Sequence, residues 1–429
     1  MSIVFRVGIK TGSLMSFSLS SLSPLLSRSG STALRRKMST SVYSWGLGTT
    51  GQLGHAKFSA TRANILTTED DYIQVEPRRI LKSKMFSKLA CGFDNSLALT
   101  PRGELFAWGN LTTMGSFSDD DAKKITQPVA IELKKNFTEI AAGKSHYAAI
   151  DKNGLLYTWG RGGLGKTWFS ESGGMLGHND CESIQQPKMV EFFKGYGAKV
   201  VSVACGEKHT LVLTEDGEVL SFGVGEYGRL GTGSTSDSLE PGTLEALLEE
   251  DIVEISVGAS HSLALSKSGA IYAWGRNDMG QLGAGDSYMD IYSMEDIPRR
   301  IDSDTIAEKN VVSISAGKGR SAAITSRGEL FIWGNKLHHE PAHVDIGGGI
   351  KAKKVECGGS SGKHCVAVID ENDELWTMGD GNSHMLGWKD VKQRNPEFVK
   401  VPGLKGKKVL DVKMGQGNHM LAIVEEESI

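Results

Sequence analysis

Seven times along its 429 residues this chain repeats a pattern of short apolar runs punctuated by glycine turns, and that self-similarity restricts it to repeat architectures. The clearest copy runs from Glu254 to Gly275, EISVGASHSLALSKSGAIYAWG. It contains an apolar run ending in glycine, a turn with His261 leading into SLALS, and a Lys-Ser-Gly turn followed by AIYAWG. Each run is too short for an ordinary helix and is bounded by turn residues, so the unit is read as three β-strands. Seven segments carry the glycine-turn-strand half, and seven carry the aromatic-Gly half, ending at Trp45, Trp108, Trp159, Phe222, Trp274, Trp333 and, degenerately, Met378.

The order of the halves says how the array ends. The chain opens with a lone VYSWG, and its last unit, DVKMGQGNHMLAIVEEE, has no aromatic-Gly strand after it. Six units are complete in sequence, and the seventh is completed only if Met414 to Glu425 lies beside Val42 to Gly46. Small sheets repeated radially and sealed by pairing the two ends make a β-propeller. The expected fold is therefore all-β: a seven-bladed β-propeller over residues 41–429. Successive aromatic positions are 63, 51, 63, 52, 59 and 45 residues apart. The strands are kept while the loops vary, which puts specific recognition on the insertions.

The GxxHxLAL…GxIYAWG…GQLG pattern, over roughly residues 42–429, resembles the regulator of chromosome condensation propeller family. The resemblance includes its mitochondrial members.

Residues 1–40 differ in composition from the rest. Arg6, Lys10, Arg28, Arg35, Arg36 and Lys37 lie among many serines, and no acid precedes Glu69. That composition is the signature of a mitochondrial presequence, pointing to the matrix or inner-membrane surface. A start at Met38 would instead leave a cytosolic or nuclear propeller. Without residues 1–37 the chain carries 42 basic and 51 acidic groups. An acidic body lacks the clustered Lys and Arg of a non-specific nucleic-acid binder. No stretch of about 18 uncharged apolar residues is present to span a bilayer. The cysteines Cys91, Cys181, Cys205, Cys357 and Cys365 form no CxxC pair, and three of them sit just before the repeat's glycine as small buried fillers.

The recurrent side chains suit structure better than catalysis. The tryptophans are expected between blades, each with one N–H to satisfy. His146, His209, His261, His364 and His419 recur at one turn, where Asn95 and Arg320 replace them, as befits a hydrogen bonder that pins the turn. No catalytic constellation, metal set or cofactor site is read. Gly160 to Thr167 matches the phosphate loop G-x-x-x-x-G-K-[ST] through Gly160, Gly165, Lys166 and Thr167. Such a loop must open a helix, and WFSESGGMLGHND after it has no helical period. We therefore read it as an inserted loop.

Within that insertion, Phe169 to Gly177 (FSESGGMLG) is similar in placement to the segment with which the nuclear member of the family wedges into its GTPase Ran. The resemblance implies nucleotide exchange by stabilising the empty GTPase, with Phe169, Ser170, Glu171, Ser172, Gly173, Gly174, Lys208 and His209 as partner-binding residues. The nuclear factor has an acid immediately before the histidine, where this chain has Lys208, and the reversed charge points away from Ran itself. Two functions follow as expectations. One is a monomeric mitochondrial scaffold that binds protein partners, with organelle RNA or ribosomes reached through a complex, in RNA, ribosome or respiratory-complex biogenesis. The other is a guanine nucleotide exchange factor for a small or dynamin-like GTPase.

Overall fold

The repeat folds as the alternation of its apolar runs dictates. In the unit 252–300 the strands Ile252–Val257, His261–Ser266, Ile271–Arg276 and Met294–Arg300 form one antiparallel meander. The second strand is buried along its whole length because sheets cover both of its faces. A computed structural model describes residues 38–55, 73–80, 84–110, 124–166, 171–285, 293–360, 363–381, 384–389 and 394–427. Seven four-stranded sheets follow this plan and make a seven-bladed β-propeller. We number the blades 1 to 6 over residues 88–130, 137–189, 200–243, 252–300, 311–344 and 352–400.

Blade 7 is built from both ends of the ring. Met38–Leu47 lies between Ile73–Arg79 and the C-terminal strand His419–Glu427, with Lys408–Met414 innermost. Trp45 stands opposite Met420 and Gly46 opposite His419, as ring closure requires. Glu426 fastens the join, accepting from Tyr43 Oη at 2.6 Å and pairing with Arg79 at 2.6 Å. The closing strand begins at Met38, three residues ahead of the boundary expected from composition.

Adjacent blades are tied by the recurrent residues. Trp45, Trp108, Trp159, Trp274 and Trp333 are all 0 % exposed. His146, His209, His261 and His419 each meet the Ser or Thr that follows the turn residue of the next blade: Thr210, Ser262, Ser321 and Ser96, at 2.9–3.0 Å. Asn95 reaches the Tyr147 hydroxyl in the same way. The histidines are therefore ties between blades. The glycine after each aromatic is needed for this close approach: Gly275 has φ +101°, and a Cβ there would lie 2.6 Å from the Ser260 carbonyl oxygen.

A further tie comes from the Gly-x-Leu-Gly turns, and from the related His384-Met385-Leu386-Gly387, on the connections after the third strands. Each presents the carbonyl of its second residue to the next blade. Gln52 O accepts from Trp108 Nε1 (2.8 Å) and Ser96 (2.9 Å), and Arg229 O accepts from Trp274 Nε1 (3.0 Å) and Ser262 (3.1 Å). Gln281 O accepts from Trp333 Nε1 (2.9 Å) and Ser321 (2.8 Å), Met385 O from Trp45 Nε1 (2.7 Å), and Met175 O from Thr210 (3.1 Å). These turns act as plugs, each sealing one seam on the face that carries the blade 2 insertion.

Candidate functional site

Because each blade is an antiparallel meander, the turn between its first and second strands and the connection between its third and fourth emerge on one face. The connection that carries the blade 2 insertion is on that face. The largest described departure from the repeat is in blade 2, where Gly163–Lys166 and Glu171–Gly173 form an extra two-stranded antiparallel sheet. Gly163 stands opposite Gly173, and Lys166 opposite Glu171.

Among the described residues, one side chain hydrogen-bonds this hairpin to blade 3. Asp237 accepts from the Gly173 N–H at 3.0 Å and, through its other oxygen, from the Gly225 N–H at 2.9 Å. A carboxylate taking two backbone N–H groups is a strong anchor. Gly225 leads into Glu226, whose carboxylate meets Arg229 Nη2 at 3.1 Å and Lys208 Nζ at 3.6 Å. Tyr227, at φ +63°, carries two guanidinium groups over its ring, with Arg276 4.6 Å and Arg229 5.6 Å from the ring centre. On the adjoining turn Lys144 of blade 2 pairs with Glu207 of blade 3. Burial alone would raise the Glu207 carboxyl, but Lys144, Lys318 and Lys208 together hold it below its ordinary value. Hairpin, Asp237, Glu226 and Lys208 thus form one continuous patch across the 2/3 seam.

The residues singled out in the sequence divide between patch and framework. Glu171, Ser172 and Gly173 form the second strand of the hairpin, and Lys208 is part-exposed beside Glu226. Phe169, Ser170 and Thr167 lie outside the described residues. His209 is fully buried and bonded to Ser262, and burial holds its imidazole well below the usual range. Gly174 opens the blade 2 plug Gly174-Met175-Leu176-Gly177, and at φ +77° a Cβ would strike the Ser238 carbonyl. The C-terminal part of the wedge-like stretch is therefore framework common to other blades. Gly160 ends the third strand at φ +101°, while Gly165 and Lys166 lie in an antiparallel strand rather than at a helix start. Sequence reasoning missed Asp237, Tyr227 and Arg229. Arg229 had a readable signal, a charge in the second position of a Gly-x-Leu-Gly plug.

A second concavity runs down the ring's axis. The innermost strands of all seven blades line a channel of about 560 Å³. Its charges are mostly neutralised in pairs: Lys88 with Glu139, Lys354 with Asp411, and Lys413 with Glu356 at 3.2 Å. Glu254 is held instead by the Ser313 hydroxyl (3.2 Å) and the Ile314 N–H (3.4 Å), and burial raises its pKa. Burial also pushes the Cys205 and Cys357 thiols up to about 12, which keeps them protonated and unreactive. Among the described residues no group of His, Cys, Asp or Glu converges as a metal ion would require, and no helix is long and apolar enough to cross a membrane.

Comparison with known proteins matches residues 29–356 to the model of the RCC1-like domain. The chain belongs to the RCC1-like domain family. It is 33 % identical over 345 residues to the E3 ubiquitin-protein ligase HERC2 of Mus musculus, covering 76 % of this chain but 6 % of that protein. To the RCC1 domain-containing protein RUG3, mitochondrial, of Arabidopsis thaliana it is 30 % identical over 305 residues, 68 % of this chain and 61 % of the relative. Among solved structures, that of Prp20p from Saccharomyces cerevisiae, a protein with binding properties towards Gsp1p and histones, superposes with a TM-score of 0.75 at 18 % identity. The superposition covers 91 % of this chain and 92 % of Prp20p.

Proposed function

We infer that this RCC1-like propeller is a non-catalytic protein-recognition scaffold of the mitochondrion, and that it binds its partner through the blade 2 hairpin and the adjoining blade 3 turn. The observation that carries the reading is the Asp237 staple, which holds an insertion foreign to the repeat against Gly225 and hence beside the Glu226–Lys208 pair. A recognition element held rigid before binding loses less entropy on association. The mitochondrial assignment is supported by the Arg- and Ser-rich, acid-free first 37 residues and by the relationship to RUG3. The association with RNA, ribosome or respiratory-complex biogenesis rests on the family resemblance alone.

The test is affinity purification from mitochondria with the whole chain and with residues 163–173 replaced by a short Gly-Ser turn. A defined partner set that is lost with the hairpin supports the reading. An unpartnered monomer, or a set indifferent to the hairpin, removes it. Exchange-factor activity is the second reading, favoured by the position of the same hairpin. It requires that the chain accelerate release of a fluorescent GDP analogue from an organelle GTPase and that the hairpin replacement abolish this acceleration.

A further inference from the structure

Five seams of the ring are sealed by the plug carbonyls of Gln52, Met175, Arg229, Gln281 and Met385. The 5/6 seam has no plug. In blade 5 the strands Leu330–Gly334 and His338–Val344 are joined by residues 335–337 alone, with Asn335 and Lys336 at φ +56° and +57° making a tight turn. The receiving residues differ in concert: Met378 stands where other seams have tryptophan or Phe222, Val366 where four of them have Ser or Thr, and Arg320 where those four have His. Met378 is part-exposed, unlike the fully buried tryptophans, and Leu337 on the short turn is 59 % exposed. No described residue takes the plug's place.

At this seam lies a buried cation with no ion pair among the described residues. Arg320 is 5 % exposed, and its Nε and Nη1 have no hydrogen-bond partner among the described residues. Its surroundings add positive charge: Lys318 is two residues away, and the facing His364 imidazole, lowered first by burial, is lowered further by both Arg320 and Lys318. Native proteins seldom leave a buried guanidinium with unused donors, because its lost hydration is then unreplaced. At four other seams the residue in this position is a His that meets a Ser or Thr hydroxyl of the next blade. Here Val366 offers no hydroxyl and the donor is charged.

We propose that the 5/6 seam is an open socket for a carboxylate-bearing turn of a partner protein, with Arg320 binding the carboxylate and Met378 and Leu337 forming its apolar rim. The partner's turn fills the position that blade 5 leaves vacant, as a plug supplied in trans. The socket stands on different blades from the hairpin patch and does not depend on it.

The test uses the full chain with ¹³C-methyl methionine, the Met378 signal being assigned through Met378→Leu. Three probes are titrated: the capped peptide acetyl-Gly-Glu-Leu-Gly-amide, its Gln counterpart, and inorganic phosphate. The Glu peptide is expected to move the Met378 methyl signal and to bind about tenfold tighter than the Gln peptide, the difference between a charge-assisted and a neutral hydrogen bond. Arg320→Met removes the preference for Glu, and Lys318→Glu, which keeps the buried Arg320, weakens it by reversing the local field. The proposal is overturned if millimolar Glu peptide leaves Met378 unmoved, if the two peptides bind alike, or if the Lys318→Glu and Arg320→Met variants both retain the preference. Phosphate moving Met378 as strongly as the Glu peptide also overturns it, by assigning the socket to free anions.

Discussion

At the residue scale the ring is held by neutral imidazoles and indole N–H groups that cross from blade to blade. Burial lowers His146 and His419 to about 4 and His261 to about 3, from 6.5 in the unfolded chain. Between those values the unfolded state binds more protons than the folded one, so stability rises with pH and is lost as pH falls from 6.5 towards 4. Each imidazole contributes on the order of 3 kcal/mol across this window. The lowered carboxyl of Glu207, with a reference value of 4.5, adds acid sensitivity at the acid end of this window and below it. Urea unfolding at pH 6.5, 5.5 and 4.5 is expected to show the decline, and His261→Gln, which keeps a hydrogen-bonding side chain but does not titrate, should flatten it. An unchanged slope would remove the linkage. Trp333 allows a graded test: Trp333→Phe loses the bond to Gln281 O and costs about 1 kcal/mol, whereas Trp333→Ala leaves a cavity and costs about 3–5 kcal/mol. Blade 3 already tolerates Phe222 at this position, fully buried. A Phe variant as damaged as the Ala variant would contradict the division between bond and packing.

The informative elements are the connections, because the four strands of every blade are nearly interchangeable. The Gly163–Lys166 and Glu171–Gly173 hairpin depends on Asp237 for its attachment to blade 3. Asp237→Ala is expected to speed hydrogen exchange at the Gly173 and Gly225 amides while the cooperative melt of the ring is kept, since neither N–H belongs to a blade's ladder. Protection unchanged at both amides would mean that the hairpin is held by other contacts. How much of this site could be read from sequence follows the same division. The insertion announced itself by breaking the repeat, and Lys208 by its turn. Asp237 gave no signal, because its partners Gly173 and Gly225 are joined to it only by the packing of two blades. Gly174 and His209 were legible as recurrent parts of the repeat pattern, and the structure gives them to the framework.

For the molecule as a whole, stability depends on closing the circle. The Met38–Leu47 strand is paired on both edges, and the Tyr43, Arg79 and Glu426 contacts join the two ends of the ring. The described ring begins with the strand at Met38. A chain of residues 38–429 is therefore expected to melt with the full-length chain, whereas also removing residues 38–47 exposes the edges of two strands and destroys the single cooperative transition. Calorimetry of the two truncations decides this. A cooperative melt after loss of residues 38–47 would mean that six blades suffice.

The sequence by itself determined the β-structure, the count of seven blades and the pairing of the two ends. Those properties follow from strand periodicity and from an unfinished repeat at each terminus, which are local or countable. Only the tertiary structure decided that the Gly-x-Leu-Gly turns are plugs, that His209 is a buried tie, that Asp237 holds the hairpin, and that the 5/6 seam lies unplugged over Arg320. Each of these depends on which backbone carbonyl or N–H of one blade meets a side chain of the next. That distance is fixed by the geometry of the closed ring, and neighbouring letters of the sequence do not encode it.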